Sequence, residues 1–289
     1  MTLTLDTLRV VSGDPEPVSE RQPLTVNVVC NTDNSILQEQ VKSALKRGLP
    51  PIDPIEPHDR IAVICGGGPS LNAREVAMWQ IARGADVFAL NGACKALNEV
   101  GCLPTYQVLL DPRAQNVMLK GLSRSYLLAS QCAPEMFDAI PESCDIGLFH
   151  CAGSAAGLVN GTLIGGSVTV GLSAINLAFT LGYREIHLYG YDSSCAQGKH
   201  HAYPQEQNDQ EARRINVQVQ DENGEWREFQ TSIAMAKQAE LFPKTAEMVI
   251  NAGAILAVHG EGMLPTIWRR LVAEHNRKQA AMPIMDAAE

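Results

Sequence analysis

The sequence predicts an α/β fold: a doubly wound, mainly parallel sheet with an inserted β-hairpin near the C-terminal side. Three observations carry this. Short apolar runs recur at 61–65, 86–90, 106–110, 126–129, 146–149, 186–189 and 254–258, most of them separated by a stretch of helical spacing. Strands apolar on both faces belong to parallel sheets covered by helices on each side. The first run breaks into Gly66-Gly67-Gly68-Pro69-Ser70-Leu71, and helical spacing follows with Asn72 and Glu75 set as a capping pair. Strand, glycine turn and helix therefore succeed one another directly. Finally, 215–220 and 226–229 flank Asp221-Glu222-Asn223-Gly224, a strong hairpin signal, and a hairpin placed after an edge loop often serves as a flap.

Taken in order, residues 1–23 hold Asp, Glu, Pro and Ser without periodicity and read as a loose arm. Residues 24–57 form a small β-α lead-in: a strand over 25–30, a helix over 35–47 with Ile36, Val41 and Leu45 on one face, and a proline-stiffened connector over 48–57. Residues 58–278 carry the alternating strands and helices of a Rossmann-like domain, closed by a helix over about 232–250, a last strand and a helix containing Trp268 and Leu271. Residues 279–289 read as a frayed tail. No charged residue occurs from Cys151 to Tyr183, which is long enough to raise a membrane span. Its Gly, Ser, Thr and Asn content instead predicts a Gly-Gly-Ser turn followed by a helix buried on both sides.

With 289 residues and 45% hydrophobic content the chain can bury a substantial core. Its formal net charge of -9 argues against a broad nucleic-acid surface or an anionic-membrane footprint. The eight cysteines include no C-x-x-C pair, and several lie within apolar runs, where free Cys behaves as a small hydrophobe. The reading is a reduced, cytoplasmic protein without structural zinc. No basic segment leads into an apolar one at the N-terminus, so no secretory signal is expected. Whether the chain is a monomer or a homo-oligomer stays open.

The chemistry is expected at the carboxyl edge of the sheet, where doubly wound folds bind ligands. Gly66, Gly67 and Gly68 remove β-carbons where a ligand would touch backbone, and the helix start after Pro69 and Ser70 offers unpaired N–H donors at the positive end of a helix dipole. This predicts a phosphate site. The turn is no Walker A loop, because no Gly-Lys-Ser/Thr closes it, and Leu71 stands where the dinucleotide fingerprint needs its third glycine. A tight turn with no ligand is the alternative.

Other strand ends add polar groups. Asn91 beside Gly92 offers an amide to a base or ribose edge, or simply makes a turn. Asp111 and Asp192 each follow a strand and together are candidates to hold a hydrated Mg²⁺ bridging phosphates, unless each only caps its own turn. Arg113 can pair with phosphate or neutralise Asp111. Ser167 and Thr169 in Gly165-Gly166-Ser167-Val168-Thr169 suggest a second helix-start cradle, or buried helix packing. The loop Lys199-His200-His201-Ala202-Tyr203-Pro204 supplies acid–base candidates in His200 and His201 and a phenol donor in Tyr203. His187, mid-strand, reads as a satisfied core histidine.

These residues resemble the MptE-like family grouped with archaeal 6-hydroxymethylpterin diphosphokinase. The resemblance rests on Gly66 to Leu71, Asn91-Gly92-Ala93, Asp111-Pro112, and Gly166-Ser167-Val168 through Leu181-Gly182 to Gly190-Tyr191-Asp192. It covers most of the chain, and the His200 to Gln205 loop resembles the bacterial and phage branch. The same spine is similar to bacterial sialyltransferases, in which a Gly-Asn-Gly-Pro-Ser-Leu turn holds a cytidine nucleotide; here Gly67 replaces that Asn. Both resemblances imply nucleotide-dependent transfer to a small-molecule acceptor. The first implies a diphosphate moved from ATP or another nucleoside triphosphate to a hydroxymethyl-type acceptor, with Mg²⁺ on Asp111 and Asp192 and support from Arg113. The second implies a CMP-sugar donor, with a histidine of the 200–201 pair deprotonating the acceptor and Tyr203 steadying the nucleotide phosphate. A non-catalytic nucleotide-binding scaffold is the third reading.

Overall fold

The structure is a computed structural model that describes residues 9–11, 22–23, 32–166, 168–199, 201–204 and 214–280. The expected strand over 25–30 and the site candidates Ser167 and His200 lie outside the described residues, as does most of the tail.

Eight parallel strands form the main sheet: β3 (His58–Cys65), β4 (Asp86–Leu90), β5 (Tyr106–Leu109), β6 (Ser125–Ala129), β7 (Asp145–Cys151), β8 (Leu163–Ile164), β9 (Tyr183–Tyr189) and β12 (Ile255–Val258). Their order across the sheet is β12-β9-β3-β4-β5-β6-β7-β8. From β3 the chain winds outward to β8, then returns to β9 on the other side of β3. The winding direction thus reverses between β3 and β9, and this is where a doubly wound sheet opens a crevice at its carboxyl edge. The two-residue β8 is too short to stand out by periodicity.

The helices in chain order are α1 (Asn34–Leu45), α2 (Ala73–Arg83), α3 (Ala93–Glu99), α4 (Pro134–Asp138), α5 (Val170–Thr180), α6 (Ile233–Asn251) and α7 (Met263–Ala280). They explain why the strands read as unbroken apolar runs. Ala62, Ile64, Phe88 and Leu90 face a core shared with α5, α6 and α7, whereas Ile61, Val63, Cys65, Val87 and Ala89 face a second core with α2 and α3. Successive residues of β3 and β4 are therefore buried in opposite layers, as the pleat requires. The uncharged stretch resolves as predicted: Gly171 to Ala178 of α5 are all buried. No helix of the described residues is long and apolar enough to cross a membrane.

The predicted hairpin forms as β10 (Arg214–Gln220) and β11 (Trp226–Ser232), paired antiparallel from Arg214↔Ser232 to Gln220↔Trp226. It does not hang free as a flap. Val217 and Val219 pack with Ala239 of α6 and with Met263, Ile267 and Leu271 of α7 in a third core. Within the stretch read as a loose arm, β1 (Arg9–Val11) pairs with β10 and β2 (Gln22–Pro23) pairs with β1, giving a four-stranded sheet β11-β10-β1-β2. A three-residue strand carries no periodicity of its own; the open edge of the hairpin supplies the partner.

At the amino edge, Asp86 is buried yet fully partnered: Arg60 at 2.5 Å, the Tyr183 hydroxyl at 2.6 Å and Thr105 Oγ1 at 3.1 Å all reach its carboxylate. This ties the starts of β3, β4, β5 and β9 together across the sheet. The ion pair, with Asp86 buried and the Arg60 side chain largely exposed, is a structural element at the edge opposite the strands' carboxyl ends.

At the opposite edge the join between β3 and β9 is made of backbone. Gly66 N–H donates to the Tyr189 carbonyl and Gly68 N–H to the Gly190 carbonyl, both at 2.8 Å. A β-carbon on Gly190, whose φ is +64°, would lie 2.5 Å from the Gly66 carbonyl oxygen. Gly190→Ala is expected to destabilise the fold by roughly 3 kcal/mol, combining left-handed backbone with a clash that no side chain can relieve. Gly224→Ala, in the hairpin turn at φ +87° with open space around it, is expected to cost only about 1 kcal/mol. Urea denaturation of the two variants measures the difference.

Candidate functional site

The glycine turn serves two purposes that its sequence does not separate. Gly66 and Gly68 are required by the neighbouring strand: a β-carbon on Gly66 would sit 2.5 Å from the Gly190 carbonyl oxygen, and one on Gly68 would run into the Asp192 carboxylate. These two are packing glycines rather than places where a ligand meets backbone. Gly67 is different. Its β-carbon would lie 2.5 Å from the Tyr203 hydroxyl and 3.1 Å from His201 Cδ2. Gly92, at the end of β4, faces the Tyr203 ring in the same way, at 2.8 Å from Cε2. Ala202 N–H donates to the Gly67 carbonyl at 3.0 Å. The His201–Tyr203 segment therefore lies directly on the glycine turn and on the start of α3, over the carboxyl ends of β3 and β4.

The helix that follows starts as predicted. Asn72 caps α2, its side chain accepting from Glu75 N–H at 3.2 Å and donating to Glu75 Oε2 at 3.3 Å. Pro69 and Ser70 lead into it. Ser70 N–H, which would be an open donor, gives its hydrogen bond to Asp192 Oδ2 at 3.0 Å, while Ser70 Oγ is buried without a partner. Asp192 thus occupies part of the cradle predicted for a phosphate. Burial raises the pKa of its carboxyl, a shift partly offset by the bond from Ser70 N–H. Ser193 beside it holds a left-handed backbone at φ 52° while buried, kept there by Thr231 Oγ1 on its carbonyl at 2.6 Å and by Gln238 Nε2 on its hydroxyl at 3.0 Å. Strain retained by surrounding bonds is a feature of functional edges. Thr231 and Gln238 were missed by sequence reading, because a polar residue inside an amphipathic helix or strand carries no local signal of what it supports.

Asn91 is the second strained residue, at φ 47°, with its backbone held by the Val108 carbonyl and by Gln107 Nε2. Its side-chain Oδ1 is buried with no hydrogen-bond partner. At α5, Thr169 caps the helix by accepting from Leu172 N–H at 3.3 Å, and the Tyr191 hydroxyl donates to the Gly171 carbonyl at 3.1 Å, bringing this helix start beneath the end of β9.

The structure does not bring Asp111 and Asp192 together. They follow β5 and β9, which are separated by β3 and β4, so their strands stand about 14 Å apart at the usual spacing. Each carboxylate is also engaged locally. Arg113 takes both oxygens of Asp111, Nε at 3.0 Å and Nη2 at 2.7 Å, and its backbone N–H adds a third bond. Burial pushes the Asp111 carboxyl up, but these bonds and the Arg113 charge outweigh it and hold the pKa below the ordinary value. Two carboxylates so placed do not fit one shared Mg²⁺. The expectation of a paired ligand set is therefore corrected by sheet order, which no spacing in the sequence reveals.

On the α2 side of the sheet lies a polar-aromatic cluster that the sequence did not foretell. His187 Nδ1 and His259 Nε2 are 3.0 Å apart, Glu185 sits 3.2 Å from His187 Nε2, and His259 stacks on Tyr189 with centroids 4.1 Å apart. The Tyr189 hydroxyl donates to Glu75 at 2.6 Å and accepts from Trp79 Nε1. His187 is thus a satisfied histidine, as predicted. Burial, and then the neighbouring His187, lower the pKa of His259 from its ordinary 6.5. Such a group favours unfolding in acid: below about pH 6.5 the unfolded chain takes up a proton that His259 resists in the folded state. Asp192, with its raised pKa, acts in the opposite sense at lower pH. His259→Phe keeps the stack on Tyr189 and removes the titration, so its stability is expected to fall less than that of the parent between pH 7 and 5.5, as measured by denaturant midpoints.

Gly67→Ala is the companion test of the crevice. The clash falls on the far ends of the Tyr203 and His201 side chains rather than on backbone. The variant is expected to fold with an unfolding midpoint close to that of the parent while making 201–204 more accessible to proteolysis, unlike Gly66→Ala, which is expected to lose stability.

No curated protein matches the chain. Among solved structures, it is similar to the MAf glycosyltransferase from Magnetospirillum magneticum AMB-1, at 15% identity and a TM-score of 0.55, over 86% of this chain and 43% of that one. The likeness is one of fold, and the chain spans less than half the length of that protein. A family model described as 6-hydroxymethylpterin diphosphokinase MptE-like matches residues 35–198, more than half of the chain, from α1 into the loop after β9 but short of the His201–Tyr203 segment, and the protein belongs to that family.

Proposed function

We propose that this protein is a nucleotide-dependent transferase acting at the carboxyl ends of β3 and β4. The observation that carries the reading is the seating of Tyr203 and His201 on Gly67 and Gly92, over the ends of β3 and β4 and beside the start of α2. Nucleotide phosphates would lie along the outer side of the glycine turn, between Gly67 and Gly92. The Tyr203 hydroxyl would donate to them, and the α2 dipole would favour their charge. His201 would remove the acceptor proton.

In the reading that family membership supports, an acceptor hydroxyl oxygen attacks the β-phosphorus of a nucleoside triphosphate. The bond from that phosphorus to the oxygen bridging it to the α-phosphate breaks, the nucleoside monophosphate leaves, and the acceptor proton passes to His201. Asp111 and Arg113, as an ion pair at the neighbouring strand end, would orient the acceptor. Any magnesium would have to bind mainly to the phosphate oxygens, with water between it and either carboxylate.

Transfer of a glycosyl group from a CMP-sugar is the second reading. It is favoured by the fact that Arg113 engages both oxygens of Asp111, whereas His201 and Tyr203 already lie on the turn.

Thermal shift against ATP, GTP, CTP and CMP, each with and without Mg²⁺, tests the proposal, since a ligand at a hundred times its Kd adds about 2.7 kcal/mol of stability. A Mg²⁺-dependent shift with a triphosphate supports diphosphate transfer, and a Mg²⁺-independent shift with CMP or CTP supports glycosyl transfer. Gly67→Val should abolish either shift. Loss of biological activity in Gly67→Val, Asp111→Ala and His201→Ala alike fits an enzyme; loss in Gly67→Val alone would leave a nucleotide-binding scaffold.

A further inference from the structure

The polar-aromatic cluster between β9, β12 and α2 contains a chain of hydrogen bonds that admits one consistent set of protons. Glu185 Oε1 lies 3.2 Å from His187 Nε2, and His187 Nδ1 lies 3.0 Å from His259 Nε2. A carboxylate only accepts, so the proton of neutral His187 sits on Nε2 and its Nδ1 is left as an acceptor. His259 then donates from Nε2, and its Nδ1 keeps the lone pair that remains. The tautomers follow from the hydrogen bonds. An added proton enters at His259 Nδ1 without breaking either bond. A second would have to enter at His187 Nδ1 and set N–H against N–H across the 3.0 Å contact. The pair therefore takes up one proton and resists another.

The charge gained in this way lies against the start of α2. His259 stacks on Tyr189, with centroids 4.1 Å and planes 7° apart, and the Tyr189 hydroxyl donates to Glu75 Oε1 at 2.6 Å. The other Glu75 oxygen accepts from Asn72 Nδ2, and Glu75 N–H donates to Asn72 Oδ1, the bond that caps the helix. Trp79 of α2 packs on His187 and gives its Nε1–H to the same Tyr189 hydroxyl. Gly260, next to His259, lies so close to Ser70 that no β-carbon fits between them. The charged and titratable groups around the pair are Glu185 and Tyr189 of β9, Cys65 of β3 beside Tyr189, Glu75 of α2 with Arg83 over Trp79, and Arg269, paired with Glu261, on the Gly260 carbonyl. Burial and then His187 hold the His259 pKa below its ordinary 6.5, and Glu75 acts in the opposite sense.

We infer that Glu185, His187 and His259 form a one-proton switch whose state is passed through Tyr189 and Glu75 to the capping turn of α2. In acid, His259 gains a positive charge over Tyr189, which draws the Glu75 carboxylate and with it the Asn72 cap. That charge stands two strand spacings, about 10 Å, from β3. It therefore favours an anion at the end of β3, a consequence that rests on the proposed nucleotide reading, whereas the switch itself does not.

The test is NMR of the full chain between pH 7.5 and 5, following the imidazole nitrogens of His187 and His259 and the backbone amide of Glu75. Both rings are expected to be Nε2–H tautomers at pH 7.5. Below pH 6.5 His259 is expected to take up one proton while His187 stays neutral, and the Glu75 amide is expected to move with the His259 midpoint. Tyr189→Phe keeps the stack and removes the hydroxyl, so the Glu75 amide is expected to move less than half as far; in His259→Phe the movement is expected to vanish. An Nδ1–H tautomer on His187, independent protonation of both rings, a Glu75 amide that stays still in the parent, or one that moves as far in either variant would overturn the inference. ATP and CMP are titrated at both ends of the pH range into the parent and His259→Phe. The ratio of affinity at pH 5 to that at pH 7.5 is expected to be about threefold larger in the parent, and equal ratios would overturn the link to the anion. If neither nucleotide binds while the imidazole and amide signals behave as expected, the switch stands and the transferase reading is what fails.

Discussion

The contact on which the rest depends is the backbone join between Gly66 and Gly190. β3 and β9 run side by side to their carboxyl ends, and there the two turns press together so closely that neither can carry a β-carbon. Because the direction of winding reverses between these strands, the join also sets the floor of the crevice. The hydrogen bonds from Gly66 and Gly68 draw the β9 loop inward, so that Asp192 meets the start of α2 and Tyr191 reaches the start of α5. Two helix starts and two strained residues, Asn91 and Ser193, are arranged around this one seam.

The glycines therefore have to be read in two groups. Gly66, Gly68 and Gly190 answer to packing, and their replacement would disturb the sheet before any ligand is involved. Gly67 and Gly92 answer to the His201–Tyr203 segment, whose side chains lie where their β-carbons would be. A phosphate approaching the turn does not meet an open cradle, since the Ser70 N–H is already taken by Asp192. It meets the phenol and imidazole lying over Gly67.

Sheet order separates the crevice into sides. Asp192, the glycine turn and Asn91 belong to adjacent strand ends, whereas Asp111 stands farther along, paired with Arg113 and next to Pro112, whose carbonyl accepts from Gln40 of α1. The network of Arg60, Thr105 and Tyr183 around the buried Asp86 ties the starts of these strands together at the amino edge.

Much of this was legible in the chain. Continuous apolar runs betray strands buried on both faces, Asn72 with Glu75 announces the start of α2, and Asp221 to Gly224 announces the hairpin, because each depends on neighbours a few residues away. The loop at 201–203, the strand-end Asn91 and the capping Thr169 were legible for the same reason. What tertiary structure alone decided was which of these meet. That Gly66 and Gly68 face a neighbouring strand, that Tyr203 covers Gly67, that Asp111 and Asp192 are held apart, and that Gln40 joins α1 to Pro112 all depend on strand order and close approach between residues far apart in sequence. Local chemistry is set by short-range propensity, but adjacency across a parallel sheet is set by how the whole chain winds.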